Sequence, residues 1–402
     1  MSFSKYQKQV IAILAFLQFT IILDFMIMSP LGALLMPDLG ITPAQFGIVV
    51  SAYAFSAGIS GLVAAGFADK FDRKKMLLFF YSGFVLGTFL CGLANSYEFL
   101  LFARIVTGVF GGVIGSIVYA ITTDLFTFEL RGRVMGFIQT AFAASQILGL
   151  PLGMFISNHW GWEAPFFAIV IISILVGFII LKVLKPIDAH LQHHPDQNAA
   201  RHLQKTLSNP KYIIAFLATA LLGIGGFMMM PFGSAYTVHN LGISMTDLPW
   251  MYFITGVVSI FIGPVVGRLS DRFGKFEVFI FGCILTVLMV MIYTHLPPTS
   301  WAVVAFVNSL MFIGIFSRMI PSQALMSAVP SPSSRGAFMA ISSSLQQISG
   351  GIGSVVAGWV VVEGANGRIE HFDQVGYIVS ATTFITIYFM YKIHKLIHEK
   401  KD

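Results

Sequence analysis

The chain has 402 residues and a formal net charge of +6, yet only 10% of it is Asp, Glu, Lys or Arg and 56% is hydrophobic. Soluble domains carry about 25% charged residues, so a soluble fold of this size has no means of covering its surface, and the composition requires an integral membrane protein. One spanning helix uses about 20 apolar residues, so about twelve of them leave too little chain for a separate folded domain. A membrane-anchored soluble enzyme is thereby excluded.

Apolar segments fall, in chain order, near 10–34, 44–68, 76–95, 98–124, 133–157, 163–184, 212–238, 248–270, 276–296, 301–328, 335–361 and 375–396. The first follows Lys5 and Lys8 and runs past Leu34 without a small-residue cleavage site, so it reads as a retained span rather than a cleaved leader. The longest polar run divides the spans six and six. This predicts an all-α polytopic membrane protein with a six-helix bundle over 1–184, a linker over 185–211 and a second six-helix bundle over 212–402. His190, His193, His194 and His202 of the linker read as solvated residues, so no metal and no cofactor is expected. Cys91 and Cys283 each lie inside an apolar run and are assigned no chemistry.

The positive charge encodes topology rather than an acidic partner such as nucleic acid. With the N-terminus inside, only Arg368 of the 24 lysines and arginines falls outside, Arg104 and Arg318 lie within spans, and the rest face the cytoplasm. Both termini are therefore expected in the cytoplasm of a multi-pass plasma-membrane protein, with a bacterial inner membrane as the setting.

The halves also repeat one another. Pro30 of span 1 matches Pro231 of span 7, Asp69-Lys70-Phe71 after span 2 matches Asp271-Arg272-Phe273 after span 8, and Arg131-Gly132 matches Arg335-Gly336. Parallel repeats of this kind suggest alternating access around a midplane site.

After span 2 the sequence reads AGFADKFDRKK and after span 8 it reads GRLSDRFGK. Both resemble the loop signature of the major facilitator superfamily. Span 4 contains LLFARIVTGVFGG, which resembles that family's intramembrane arginine motif. Span 5 reads QTAFAASQILGLPLGMF and is followed by NHWGWEAPFF; with Gly149, Pro151 and Gly153 carrying the match, it resembles the signature of the 12-span drug:proton antiporters, in their arabinose-efflux and chloramphenicol-resistance branch. The resemblance implies a conformational latch of Asp69, Arg73 and Asp124, repeated by Asp271, Arg272 and Lys275. Ala65 and Asp72 depart from the family's glycines, whereas Gly267 and Gly274 keep the second copy intact. In span 5 the small residues are expected to let spans 5 and 8 approach closely.

Two charges lie deep in the predicted membrane. Arg104 sits about 9 Å below the outer boundary, and Asp24, in ILDFMIMSPLG of span 1, about 21 Å from the inner boundary of a core roughly 30 Å thick, which is the same depth. The two are placed to pair or to share water, and an intramembrane ionisable residue is a functional candidate by default. The repeat matches Asp24 to Gly225 or Gly226 and Arg104 to Asn308, so symmetry keeps the hinges and drops the charges. Asp24, the sole acidic residue deep in a span, is the expected proton carrier with Arg104 as its partner. Gln139, Gln146, Asn308, Arg318, Gln346 and Gln347 are candidates for a substrate cavity. Arg318 lies about 26 Å below the outer boundary and is also placed to snorkel to the cytoplasm.

The resemblance implies proton-coupled efflux of small amphipathic molecules, whether drug, sugar or metabolite, and the expected protein is a monomer whose partners are substrate, protons and lipid. Proton-coupled uptake or facilitated diffusion of a metabolite is the alternative. A sensor that has lost transport is disfavoured by the presence of both loop signatures, and enzyme activity by the lack of a nucleophile, metal cluster or phosphate-cradling loop in the sequence.

Overall fold

The computed structural model describes residues 3–64, 67, 70–188, 191, 199–331, 334–364 and 367–398. The first six spans are Lys5–Leu39, Pro43–Ala64, Arg73–Gly92, Tyr97–Leu125, a composite fifth span and Ala164–Val183. A linker helix, Ala199–Leu207, precedes the composite seventh span and then Leu248–Phe273, Lys275–Thr294, Trp301–Ala328, Arg335–Val360 and Phe372–His398. A short hairpin pairs Val362–Glu363 with Ile369–Glu370 between spans 11 and 12. Among the described residues, 10 helices are long and apolar enough to cross a membrane. Spans 11 and 12 are as long as the other spans, at 26 and 27 residues, but more polar; span 11 carries Ser342, Ser343, Ser344, Gln346, Gln347 and Ser349.

Local chemistry sets the boundaries. Span 1 opens on a capping box in which the Gln7 amide donates to Ser4 Oγ at 3.2 Å and the Ser4 amide to Gln7 Oε1 at 3.0 Å. It closes on Gly40, whose left-handed φ of 61° suits glycine. Asp72 caps span 3 by accepting from the Lys75 amide at 2.8 Å, and Ser96 caps span 4 from the Phe99 amide at 3.3 Å.

Two spans differ from the continuous helices the hydropathy predicts. Span 7 runs as Pro210–Phe227, breaks, and resumes as Gly233–His239. Pro231 supplies no backbone N–H within the break, so the helical ladder stops there. Its repeat partner Pro30 lies inside an unbroken span 1. Span 5 runs from Phe128–Ala144 through a π-helical turn, Ser145–Gly149, into Leu150–Trp160. This wider turn precedes Pro151, the residue that cannot donate to an ordinary helical ladder.

Glycines bring the spans together. A Cβ on Gly112 would lie 2.2 Å from the Ala57 carbonyl oxygen, and one on Gly108 2.5 Å from that of Tyr53, so span 4 crosses span 2 backbone to backbone. Spans 9 and 10 meet in the same way where Gly282 faces the Arg318 amide.

Among the described residues the apolar core has three parts. At the end of the bundle away from the chain termini, one core runs across both halves and joins Ile27, Leu31 and Phe46 to Met228, Phe232 and Tyr236. Towards the terminal face it divides into a first-half core around Leu14, Phe84 and Ile117 and a separate second-half core around Phe216, Phe279 and Phe338. Hydrogen bonds between the halves reinforce the far end: Ser29 Oγ donates to the Met230 carbonyl, Ser234 Oγ to the Ser29 carbonyl at 2.8 Å, and Asn158 Nδ2 to the Met245 carbonyl at 2.8 Å.

Candidate functional site

Span 1 carries Asp24 into the first half, and span 4 carries Arg104 to the same level. Both side chains are 0% exposed, and Arg104 Nη1 donates to Asp24 Oδ2 at 2.8 Å. Asp24 Oδ1 accepts from Thr88 Oγ1 of span 3 at 3.0 Å. The guanidinium carbon lies 4.6 Å from the ring centroid of Tyr53 in span 2. Four helices therefore build the site. Gly87 makes the arrangement possible, because a Cβ there would meet Thr107 Cα at 2.7 Å and hold span 4 away from span 3. Among the described residues, Arg104 Nε and Nη2 have no hydrogen-bond partner, so the pair is neutral overall and still holds donors in reserve. A carboxylate with two donors beside an under-used guanidinium can exchange a proton and hand the arginine to another acceptor.

Direct pairing thus decides between the two arrangements expected for Asp24 and Arg104. Thr88 and Tyr53 join the site although the sequence marks them only as a hydroxyl and a phenol within apolar runs.

The cavity candidates scatter. Gln146 lies in the π-helical turn, is 5% exposed, and among the described residues leaves Oε1 without a partner. The side chain of Gln139 lies outside the described residues. Gln346 is exposed, and Asn308 and Gln347 are half-buried; no described hydrogen bond joins these three side chains to the Asp24 pair. Arg318 is 5% exposed and donates from Nη1 to Thr383 Oγ1 of span 12 at 3.1 Å, so it points into the bundle and does not snorkel.

At the terminal face, Arg73 Nε pairs with Asp124 Oδ2 at 3.1 Å, while Asp69 lies outside the described residues. Asp72, which departs from the family's glycine, both caps span 3 and accepts from the Ile187 amide through Oδ2 at 2.8 Å. The Arg73 amide in turn donates to the Ile187 carbonyl at 3.0 Å, so the start of the linker is fastened to the first half. The second loop is looser: Lys275 and Asp271 pair at 3.3 Å in an exposed position, and the Arg272 guanidinium lies 5.3 Å from the Phe273 ring. The linker residues His190, His193 and His194 lie outside the described residues, as does the side chain of His202.

The span 5 motif packs differently from expectation. A Cβ on Gly149 would meet Leu23 Cδ1 at 2.6 Å and one on Gly153 would meet Ile27 Cδ1 at 2.5 Å, so both glycines seat span 1 rather than span 8. The approach of spans 5 and 8 is made from the other side, where Gly256 of span 8 faces Ile147 and Gln146. Beyond the motif, Trp162 Nε1 donates to Asp38 Oδ2 at 2.7 Å and ties the turn between spans 5 and 6 to the end of span 1.

The model of the Major Facilitator Superfamily matches residues 14–391. An uncharacterized MFS-type transporter of Bacillus subtilis (strain 168), YceJ, is 26% identical over 380 residues, covering 92% of this chain and 94% of its own. Multidrug resistance protein 2 of the same organism is 27% identical over 276 residues, 67% of this chain and 68% of its own. Among solved structures, that of a D-xylose–proton symporter superposes with a TM-score of 0.78 at 16% identity, over 97% of this chain and 98% of that one. With two bundles joined along the far end, a buried charge pair in one of them and a match over nearly the whole length, the chain belongs to the Major Facilitator Superfamily, whose members are multi-pass membrane transporters rather than enzymes.

Proposed function

We propose that this transporter exports small amphipathic molecules across the bacterial inner membrane in exchange for protons, working as a monomer with both termini in the cytoplasm. The single observation that carries the reading is the fully buried Asp24–Arg104 pair, present in one half and absent at the matching residues of the other. Structural packing is needed in both halves, whereas a coupling site is needed only once. Protonation of Asp24 releases Arg104, and each ligand shifts the balance between two conformations only by binding one better than the other. The bundles over 1–184 and 212–402 are the moving bodies, joined by the linker over 185–211. Arg73 and Asp124 latch the terminal face of the first half. Similarity to a multidrug resistance protein supports export.

Inside-out vesicles test the direction. An imposed gradient, acid inside, should drive accumulation of an amphipathic dye, and a protonophore should abolish it. Expulsion of the dye, or movement indifferent to the gradient, would instead favour proton-coupled uptake or facilitated diffusion.

A further inference from the structure

The halves differ in how they treat their deep arginines. Asp24 neutralises Arg104 in the first half. In the second half span 10 buries Arg318 to 5% exposure, yet the acidic residues between Pro210 and His398 all lie near helix ends (Asp247, Asp271, Glu277 and Asp373) or in the hairpin between spans 11 and 12 (Glu363 and Glu370). The guanidinium donates from Nη1 to Thr383 Oγ1 at 3.1 Å, and Thr383 Oγ1 in turn donates to the Val379 carbonyl at 2.7 Å. On the other side of the guanidinium lies Gly226. A Cβ built there would stand 3.9 Å from Arg318 Nη2, and Gly226 is exposed although Gly225 and Met228 beside it are buried. Gly226 is also one of the two residues that the repeat matches to Asp24. A glycine edged by open space thus lies beside Arg318 at one of the two positions matched to the first half's carboxylate.

We propose that the cargo is an amphipathic organic anion whose oxyanion, a carboxylate or a phosphate ester, pairs with Arg318 beside Gly226, in the position that Asp24 holds relative to the first half. The proposal rests on the exporter reading and names its substrate class. A buried cation without an ion pair is costly, and a ligand that supplies the missing charge recovers that cost as binding. A guanidinium also presents paired donors that match an oxyanion. Since the Asp24–Arg104 pair is neutral, Arg318 sets the sign of the central field and disfavours cationic cargo. The apolar body of the ligand has aromatic neighbours in Phe227, adjacent to Gly226, and Phe25 of span 1, whose ring lies 5.6 Å from that of Phe227. If Arg318 served only to tie span 10 to span 12 through Thr383, one of its five N–H donors would suffice.

Equilibrium binding to the full chain in neutral-lipid nanodiscs, with no gradient imposed, tests this by isothermal titration calorimetry. Two matched pairs are used: 1-naphthoate with 1-naphthamide, and dodecyl phosphate with dodecanol. The wild type should bind the anion of at least one pair about tenfold or more tightly than its neutral partner. Preference within the naphthyl pair identifies a water-soluble acid as the cargo; preference only within the dodecyl pair identifies a lipid-borne one. Arg318→Gln should bring the ratio below about twofold, and Arg318→Lys should keep part of it. Gly226→Asp, which retains Arg318 and supplies an internal carboxylate, should abolish the preference as well and keeps the test decisive if Arg318→Gln does not fold. Equal affinities within both pairs, no binding of any of the four compounds, or a preference that survives Gly226→Asp would overturn the proposal. Failure of the exporter reading is separable, since it would leave this preference intact while vesicle transport ignored or reversed the proton gradient.

Discussion

Asp24 and Arg104 keep their charges inside the bundle because each supplies what the other loses with water, and Thr88 adds a second donor to the carboxylate. Removing one partner of such a pair strands the other and costs about 3–5 kcal/mol. Arg104→Gln is expected to lower the melting temperature of the purified protein by several degrees, and the Asp24→Asn, Arg104→Gln double variant to recover most of that loss. If the double variant melted as low as Arg104→Gln alone, the two residues would not be coupled. Thr88→Val removes a hydrogen bond to a charged group, a contribution of about 1.5–3 kcal/mol. Gradient-driven export by Thr88→Val should fall about tenfold at unchanged protein level, and export at the wild-type rate would exclude Thr88 from the site.

Between elements, the π-helical turn of span 5 connects a packing motif to the charge site. Gly149 rests against Leu23, the neighbour of Asp24 in span 1. Gly149→Val should displace span 1 and depress export while the protein remains monodisperse, whereas Gly115→Ala, where an added Cβ meets nothing within 4 Å, should export normally. Equal export by both variants would dissociate the motif from the site. This junction also marks how far the sequence could be read. Counting residues at a fixed helical rise placed Asp24 and Arg104 at one depth, because depth depends only on rise and boundary. Which neighbour Gly149 faces depends on the rotation of each helix, and a helix that is apolar on all sides carries no stripe to report it. Thr88 and Tyr53 were illegible for the same reason, and the span 7 break because Pro30 and Pro231 are one residue type with two outcomes, an unbroken helix and an interrupted one.

Across the whole molecule, one apolar core binds the halves at the far end while separate cores hold them near the termini. This arrangement makes the far end the part that must come apart in the opposite conformation of an alternating-access cycle. Ser29 and Ser234 mark the seam. Ser29→Cys combined with Ser234→Cys should form a disulfide on oxidation that arrests export, with recovery on reduction, since the native Cys91 and Cys283 are buried. Undiminished export by the oxidised protein would mean that the seam does not open during transport. The linker belongs to the same scale: Asp72 and Arg73 fasten Ile187 to the first half.

On the proposed mechanism, Asp24 carries the proton that cargo displaces. Inside-out vesicles containing wild type or Asp24→Asn, acidified within and loaded with a pH-sensitive dye, provide the most direct measurement as amphipathic compounds are added outside. Substrate-triggered proton release is expected from wild-type vesicles and none from Asp24→Asn at equal protein content. Equal proton release by the two would contradict it.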